Sequence, residues 1–239
     1  MKLMNKLLCT TGVVLLLGSS SLFAAELTAK GVIHHAFGYL GSLDKYAFNA
    51  VITDTYTDDT VHEKSKHVVD VKLERPDNLR VDVKGENRDR TNYMHDGKYI
   101  IVDHNFGYYA EINTPKDIDK TLDFLIDNFG INAPLTSLLY KDMPRRTKFT
   151  SSKYFGVKDV AGTPCDYVAF KNNKTTVHVW VARGDVPLIK AYAVIETSKK
   201  NTYRIDTSIH WKDASSIKES DFIFTAPKDM MKISIEPAN

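Results

Sequence analysis

The chain has 239 residues, 43% of them hydrophobic and 26% charged, with two cysteines and a formal net charge of +2. That length and apolar content exclude a disordered chain or a small disulfide-stapled scaffold and leave room for one sizeable core. A charge so close to zero excludes the Lys/Arg surplus on which nucleic-acid binding rests.

In chain order, Lys2 and Lys6 come first, before an apolar run from Leu7 to Gly18, then Ser19-Ser20-Ser21 and Leu22-Phe23-Ala24-Ala25. A basic start, a short apolar stretch and a small-residue exit predict a secretory signal peptide over residues 1–25, cut after Ala24 or Ala25. The run is shorter than the ~20 apolar residues of a membrane span. Cys9 sits inside it and lacks the small residue that a lipidation site needs just before it, so a soluble exported protein is expected rather than a lipoprotein. Without residues 1–25 the chain carries 30 Lys+Arg and 30 Asp+Glu, and Cys165 is its single thiol. No internal disulfide can form, and the fold must hold by its own core. With no linker, repeat or composition shift, residues 26–239 read as one domain.

The segment 26–43 predicts a helix, because Ile33, Ala36, Phe37, Leu40 and Leu43 recur at helical spacing. Gly31, Gly38 and Gly41 weaken it as a free helix, so it needs a surface to lie on. Six strands follow. Tyr46, Phe48, Ala50 and Ile52 alternate with polar and small residues, as do Val69, Val71 and Leu73, then Leu79, Val81 and Val83. Asp96-Gly97 between apolar runs predicts a tight hairpin, and Asn105-Phe106-Gly107 turns the chain again. At Thr114-Pro115-Lys116-Asp117 the pattern becomes helical. Ile118, Leu122, Leu125, Ile126 and Phe129 form a stripe over 116–129 that Gly130 ends. Ala133-Pro134 opens a second short helix, 134–140, with Leu135, Leu138 and Leu139. Tyr140 to Ser152 reads as a polar, basic loop.

Five more strands are predicted: Tyr154–Val160, Pro164–Lys171, Thr175–Ala182, Leu188–Thr197 and Tyr203–Trp211. An extended tail follows over Phe222–Pro227. The fold expected is mainly β (α+β): one antiparallel sheet of about eleven strands, curled into a half-barrel. The N-terminal helix and the two short mid-chain helices would close it. A sheet curled around helices makes a lid held by apolar contacts, which a hydrophobic ligand can replace.

One residue breaks the alternation. Counting by two from His67 through Val69, Val71 and Leu73 puts Arg75 on the apolar side, in the stretch Leu73-Glu74-Arg75-Pro76-Asp77-Asn78-Leu79. A guanidinium has five donors and no acceptor, so it can bridge several helix carbonyls. The alternative is a strand-end arginine that pairs with Asp77 or solvent.

Reaction chemistry is sparse. There is no Gly-x-Ser-x-Gly elbow, no His-Glu-x-x-His and no phosphate loop, so no catalytic residue is assigned and a non-enzymatic role is expected. His34 and His35 are adjacent and cannot share a helix face. His62 and His67 fall on opposite sides of a strand. His178 and His210 could meet only if their strands paired, and no metal or cofactor is expected. Cys165 has no neighbouring cation and reads as a buried, inert thiol. Lys141, Arg145, Arg146 and Lys148 could meet anionic lipid head groups or an acidic partner.

Three of these motifs resemble the LolA/LolB/LppX superfamily of envelope lipid and lipoprotein carriers. They are the Arg75-Pro76 turn, the Asp96-Gly97-Lys98 hairpin leading to Tyr108-Tyr109, and Asn132-Ala133-Pro134-Leu135-x-x-Leu138-Leu139. Nearly the whole mature chain also resembles a family of predicted periplasmic proteins of unknown function. Its pattern includes Gly162-Thr163-Pro164-Cys165-Asp166, Trp180 with a later Gly-x-x-Pro (184–187), and Trp211 before a Phe-x-Phe tail (222–224). The resemblance implies a monomeric periplasmic carrier or binding protein for a hydrophobic or acylated ligand, a lipid or lipoprotein. It also implies that Arg75 is the lid latch, a role that Arg80 or Arg90 could fill instead. Cavity candidates are Phe48, Ile52, Val69, Val71, Val81, Ile101, Leu122, Leu125, Ile126, Leu138 and Ile205. The alternatives are an envelope module whose filled half-barrel binds a membrane protein or other protein at its mouth, and an enzyme.

Overall fold

The structure, a computed structural model, describes residues 27–132, 135–146, 148–198 and 200–238. The predicted signal peptide lies outside them, as does the Ala133-Pro134 start of the second mid-chain helix. Helix α1 (Ala29–Ser42) begins where the Thr28 hydroxyl accepts from the Gly31 N–H, and it buries Val32, Ile33, Ala36, Phe37 and Leu40. Six strands follow as predicted: β1 (Lys45–Asp58), β2 (His62–Glu74), β3 (Asn78–Gly85), β4 (Arg88–His95), β5 (Lys98–Asp103) and β6 (Tyr108–Asn113). Asp96 and Gly97 both have positive φ, 49° and 73°, which is what a type I′ turn demands.

The mid-chain helices depart from expectation. Helix α2 (Ile118–Phe129) starts two residues later than the stripe over 116–129, capped by Asp117, whose carboxylate accepts from Lys120 N–H. Gly130 ends it in the left-handed region, as expected. The second helix, expected over 134–140, is only a 3₁₀ turn, Thr136–Leu138. Leu135 has φ 59°, a conformation from which an α-helix cannot propagate. The basic stretch read as a loop holds one helical turn, α3 (Met143–Arg146).

Then come β7 (Ser151–Val160), β8 (Thr163–Asn172), β9 (Thr175–Ala182), β10 (Ile189–Thr197) and β11 (Asn201–Lys212). The tail turns through a 3₁₀ segment at Glu219–Phe222 and adds a twelfth strand, β12 (Met231–Ile233). All twelve form one sheet in the order β12-β6-β5-β4-β3-β2-β1-β11-β10-β9-β8-β7. Neighbours are antiparallel except β12, which runs parallel to β6. The β1–β11 ladder, from Ala47↔Lys212 to Asp58↔Asn201, joins the two halves. The ends β12 and β7 do not meet, so the sheet is an open, twisted half-barrel.

One large core fills its concave side. Phe48 of β1 sits opposite Val71 of β2, and Ala50 opposite Val69, each essentially inaccessible. Burying a side chain such as Phe48 contributes about 1.5–3 kcal/mol. Helix α2 docks at the β2–β3 turn, where Ile118 N–H donates to the Pro76 carbonyl at 2.8 Å, and it buries Ile118, Leu122 and Leu125. Helix α1 lies over β7–β9 and against α3. On the convex side the tail seals a smaller cluster of Ala47, Ile217 and Phe222, while Phe224 packs on the rings of Tyr93 and Tyr109.

Candidate ligand site

Three helical pieces meet at Arg75. Its side chain is only 8% exposed. Nη2 donates to the Leu139 carbonyl at 2.9 Å, Nε to the Leu43 carbonyl at 3.3 Å, and Nη1 to Asp119 Oδ1 at 3.4 Å. Leu43 follows α1, Asp119 lies in the first turn of α2, and Leu139 follows the 3₁₀ turn. Asp77 takes no part. The rigid fork of a guanidinium can hold three such acceptors, where a lysine presents one compact charge. Arg80 and Arg90 are occupied elsewhere: Arg80 on Asp82 and the Tyr93 ring, Arg90 on Asp103.

The 138–141 segment is pinned residue by residue. The Tyr46 hydroxyl donates to the Leu138 carbonyl at 2.6 Å, and Asp119 accepts the Lys141 N–H with its two oxygens at 3.1 and 3.0 Å. The Tyr140 hydroxyl donates to Asp123, which also receives both Arg146 Nη groups at 2.7 and 3.0 Å. Burial pushes the Asp119 carboxyl above the ordinary aspartate value, against the pull of the Lys141 N–H and of Arg75. Tyr46→Phe would remove one buried bond and leave the Leu138 carbonyl unsatisfied. A loss of about 1–2 kcal/mol is expected, read as a lower urea midpoint with an unchanged slope.

Beside this cluster lies an apolar pocket of about 350 Å³. Ile33 and Phe37 of α1, Leu138, Met143 and Phe149 form one side, and Phe170, Val177, Val179, Ile189 and Val194 of β8–β10 form the other. Ligand sites run from about 300 to 1,000 Å³. Tyr192 lines this pocket and also a wider, open mouth of about 690 Å³ at the far ends of β1, β2 and β11.

The mouth is polar. Asp54 accepts from the Tyr203 hydroxyl at 2.9 Å and faces His67 Nδ1 at 3.3 Å, with Glu63, Lys64 and Arg88 around them. Burial lowers the His67 pKa despite the Asp54 charge. A depressed histidine contributes stability above its unfolded value of ~6.5, and that contribution is lost as pH falls through the lower folded value. An NMR titration of the His67 ring is therefore expected to give a midpoint below the ~6.5 of a free histidine.

The sequence candidates separate into distinct places. Phe48, Val69, Val71, Val81, Leu122 and Leu125 belong to the packed core and line neither pocket. Leu138 lines the apolar pocket, and Ile52 and Ile205 line the mouth. Ile101 is half-buried against the core. Ile126 is corrected outright: it is 39% exposed, because the buried stripe of α2 runs through Ile118, Thr121, Leu122 and Leu125. The pocket residues that sequence reasoning missed lie on α1 and β8–β10, whose alternation was read only as strand and helix pattern, and in the stretch read as a basic loop, at Met143 and Phe149.

His178 and His210 do not meet, since β10 separates their strands. His178 bonds the Tyr167 hydroxyl instead. Cys165 is buried and burial pushes its thiol up. Among the described residues no cluster of three His, Cys, Asp or Glu could hold a metal.

The open antiparallel sheet with helices in its concavity is the half-barrel architecture expected from the sequence. The chain belongs to the family described as "Predicted periplasmic protein (DUF2092)", whose sequence profile matches residues 29–236. No curated protein matches it. Among solved structures it is similar to an uncharacterized conserved protein from Thermus thermophilus, with 8% identity, TM-score 0.48, and coverage of 86% of this chain and 98% of that one. It is also similar to Mycobacterium tuberculosis lipoprotein LppX, with 9% identity, TM-score 0.44, and coverage of 80% and 97%. A LolA superfamily protein from Nitrosomonas europaea is a third, with 10% identity, TM-score 0.33, and coverage of 83% and 98%.

Proposed function

We propose that this protein is an exported, non-enzymatic periplasmic carrier or binding protein for a hydrophobic or acylated ligand, with Arg75 as the latch of its lid. The observation that carries this reading is the apolar pocket under α1 and α3, whose wall includes Leu138, one residue from the Leu139 carbonyl that Arg75 holds. A chain that enters between α1 and β8–β10 would press on the 138–141 segment. Its uptake and the release of the latch are then one event.

The pocket is small enough to take one acyl chain and has few polar groups, so shape and burial select the ligand rather than hydrogen bonding. The test is native mass spectrometry of protein purified from the periplasm, then solvent extraction and uptake of a fluorescent fatty acid. Lipid or acyl adducts, lost in a pocket-filling Val177→Trp variant that still folds, support the reading. A clean apo mass with no uptake would overturn it. The second reading, an envelope module that binds protein at its mouth, draws on the filled half beneath α2. It would then take precedence.

A further inference from the structure

Charge is unevenly placed in this chain. Residues 141–191 hold ten lysines and arginines against four acids, although the totals after residue 25 balance. That stretch builds α3 and the β7–β9 flank, and β7 is a free edge of the sheet. The ion pairs there are Arg146 with Asp123 and Asp142, and Arg183 with Asp166. Lys148, Lys153, Lys158, Lys171 and Lys174 are all exposed, and none of them enters an ion pair among the described residues.

Apolar groups stand among these cations. Phe155 is 42% and Val157 45% exposed on β7, and Val186 is 50% exposed in the β9–β10 connection. Lys153 Nζ lies 5.0 Å from the Phe155 ring centre. A ten-residue strand is about 33 Å long, and β7 carries this mixture along its length, with Lys153, Phe155 and Lys158 on one face and Val157 on the other. Arg146 and Lys148, in the wall of the apolar pocket, come just before this strand in the chain.

We propose that the β7 edge and its flank form a docking face for an anionic phospholipid surface. Charge complementarity names the partner: unpaired lysines gather at negatively charged head groups, and each is worth about a fivefold change in partitioning. Phe155, on the face of β7 that carries Lys153 and Lys158, then sits at the depth where aromatic side chains leave water for the interface. Lysines on an edge strand also prevent edge-to-edge pairing. Glutamates would do that equally well, so charge reversal separates the two roles. The inference stands on charge and exposure and survives even if the carrier reading fails.

The test is flotation of the mature protein with vesicles of phosphatidylglycerol and phosphatidylethanolamine, and with vesicles of phosphatidylcholine alone, at low salt and in 0.5 M salt, a condition on the order of a fourfold shorter screening length than 0.03 M. The expected result is binding to the anionic vesicles only, reversed by salt. A Lys153→Glu, Lys158→Glu, Lys171→Glu variant is expected to lose about 100-fold in partitioning, while it stays monomeric and keeps its circular dichroism and its uptake of fluorescent fatty acid. No binding to anionic vesicles, or unchanged binding by the triple variant, overturns the proposal. Failure of the wild type to take up the fatty acid strikes the carrier reading alone.

Discussion

Arg75→Leu is expected to lower stability by about 3 kcal/mol, the low end of the range for breaking a buried ion pair. In a chain of this size that is a fall of roughly 6–12 °C in Tm. The substitution strips the guanidinium from Asp119, whose side chain is 18% exposed, and from the Leu43 and Leu139 carbonyls. The Lys141 N–H stays on Asp119 and keeps the loss from reaching the top of the range.

The same substitution has a pH signature. Asp119 already titrates above an ordinary aspartate because of burial, and Arg75 is one of the groups that hold it down. Removing Arg75 raises it further. An acid raised in the folded state contributes stability that is fully present below its unfolded pKa of ~3.9 and is lost as pH rises through the folded value. The gap between wild type and Arg75→Leu therefore narrows in acid and widens toward neutrality. Urea unfolding on both sides of that window reads it directly. Arg75→Leu combined with Asp119→Asn is expected to recover part of the loss, since the orphaned charge is gone. A gap that is flat with pH would mean that the latch works through its two carbonyls and not through Asp119.

Arg75 was legible before any coordinates because β2 has a strict period of two, and a cation on its apolar side demands a partner. The strands were legible for the same reason, and the Asp96-Gly97 turn because only two positive φ values satisfy it. What could not be read was which half of the sheet is filled. Phe48 and Val177 carry the same alternating pattern. Phe48 is packed solid while Val177 lines a pocket, and the difference lies in what covers each. That is set by the β1–β11 pairing, a contact between residues some 150 positions apart in the chain. Ile126 was misplaced because the apolar run Leu125-Ile126 does not say where the buried stripe ends: its centre runs through Ile118, Thr121, Leu122 and Leu125, and Ile126 falls just past its edge. β12 escaped because three residues, Met231–Ile233, are too few to show a period.

The fit of α1 against the latched segment gives the second large effect, through two glycines three residues apart. Gly41 is buried and packs on the backbone of Lys141. A Cβ there would overlap the Lys141 carbonyl oxygen, with the carbonyl carbon at 3.2 Å. Backbone cannot rotate away as a side chain does, so either α1 or the 139–141 segment must move. Gly41→Ala is expected to cost about 2–3 kcal/mol and to speed hydrogen exchange at Lys141, whose N–H is held by Asp119. Gly38 lies on the exposed side of the same helix with nothing within 4 Å of a Cβ. Gly38→Ala is expected to stabilise by about 0.5–1 kcal/mol, the ordinary gain of alanine over glycine in a helix. Opposite signs from the same substitution one turn apart would locate the lid's seat at Gly41. Equal gains at both sites would mean that α1 rests on the sheet without touching the latched segment.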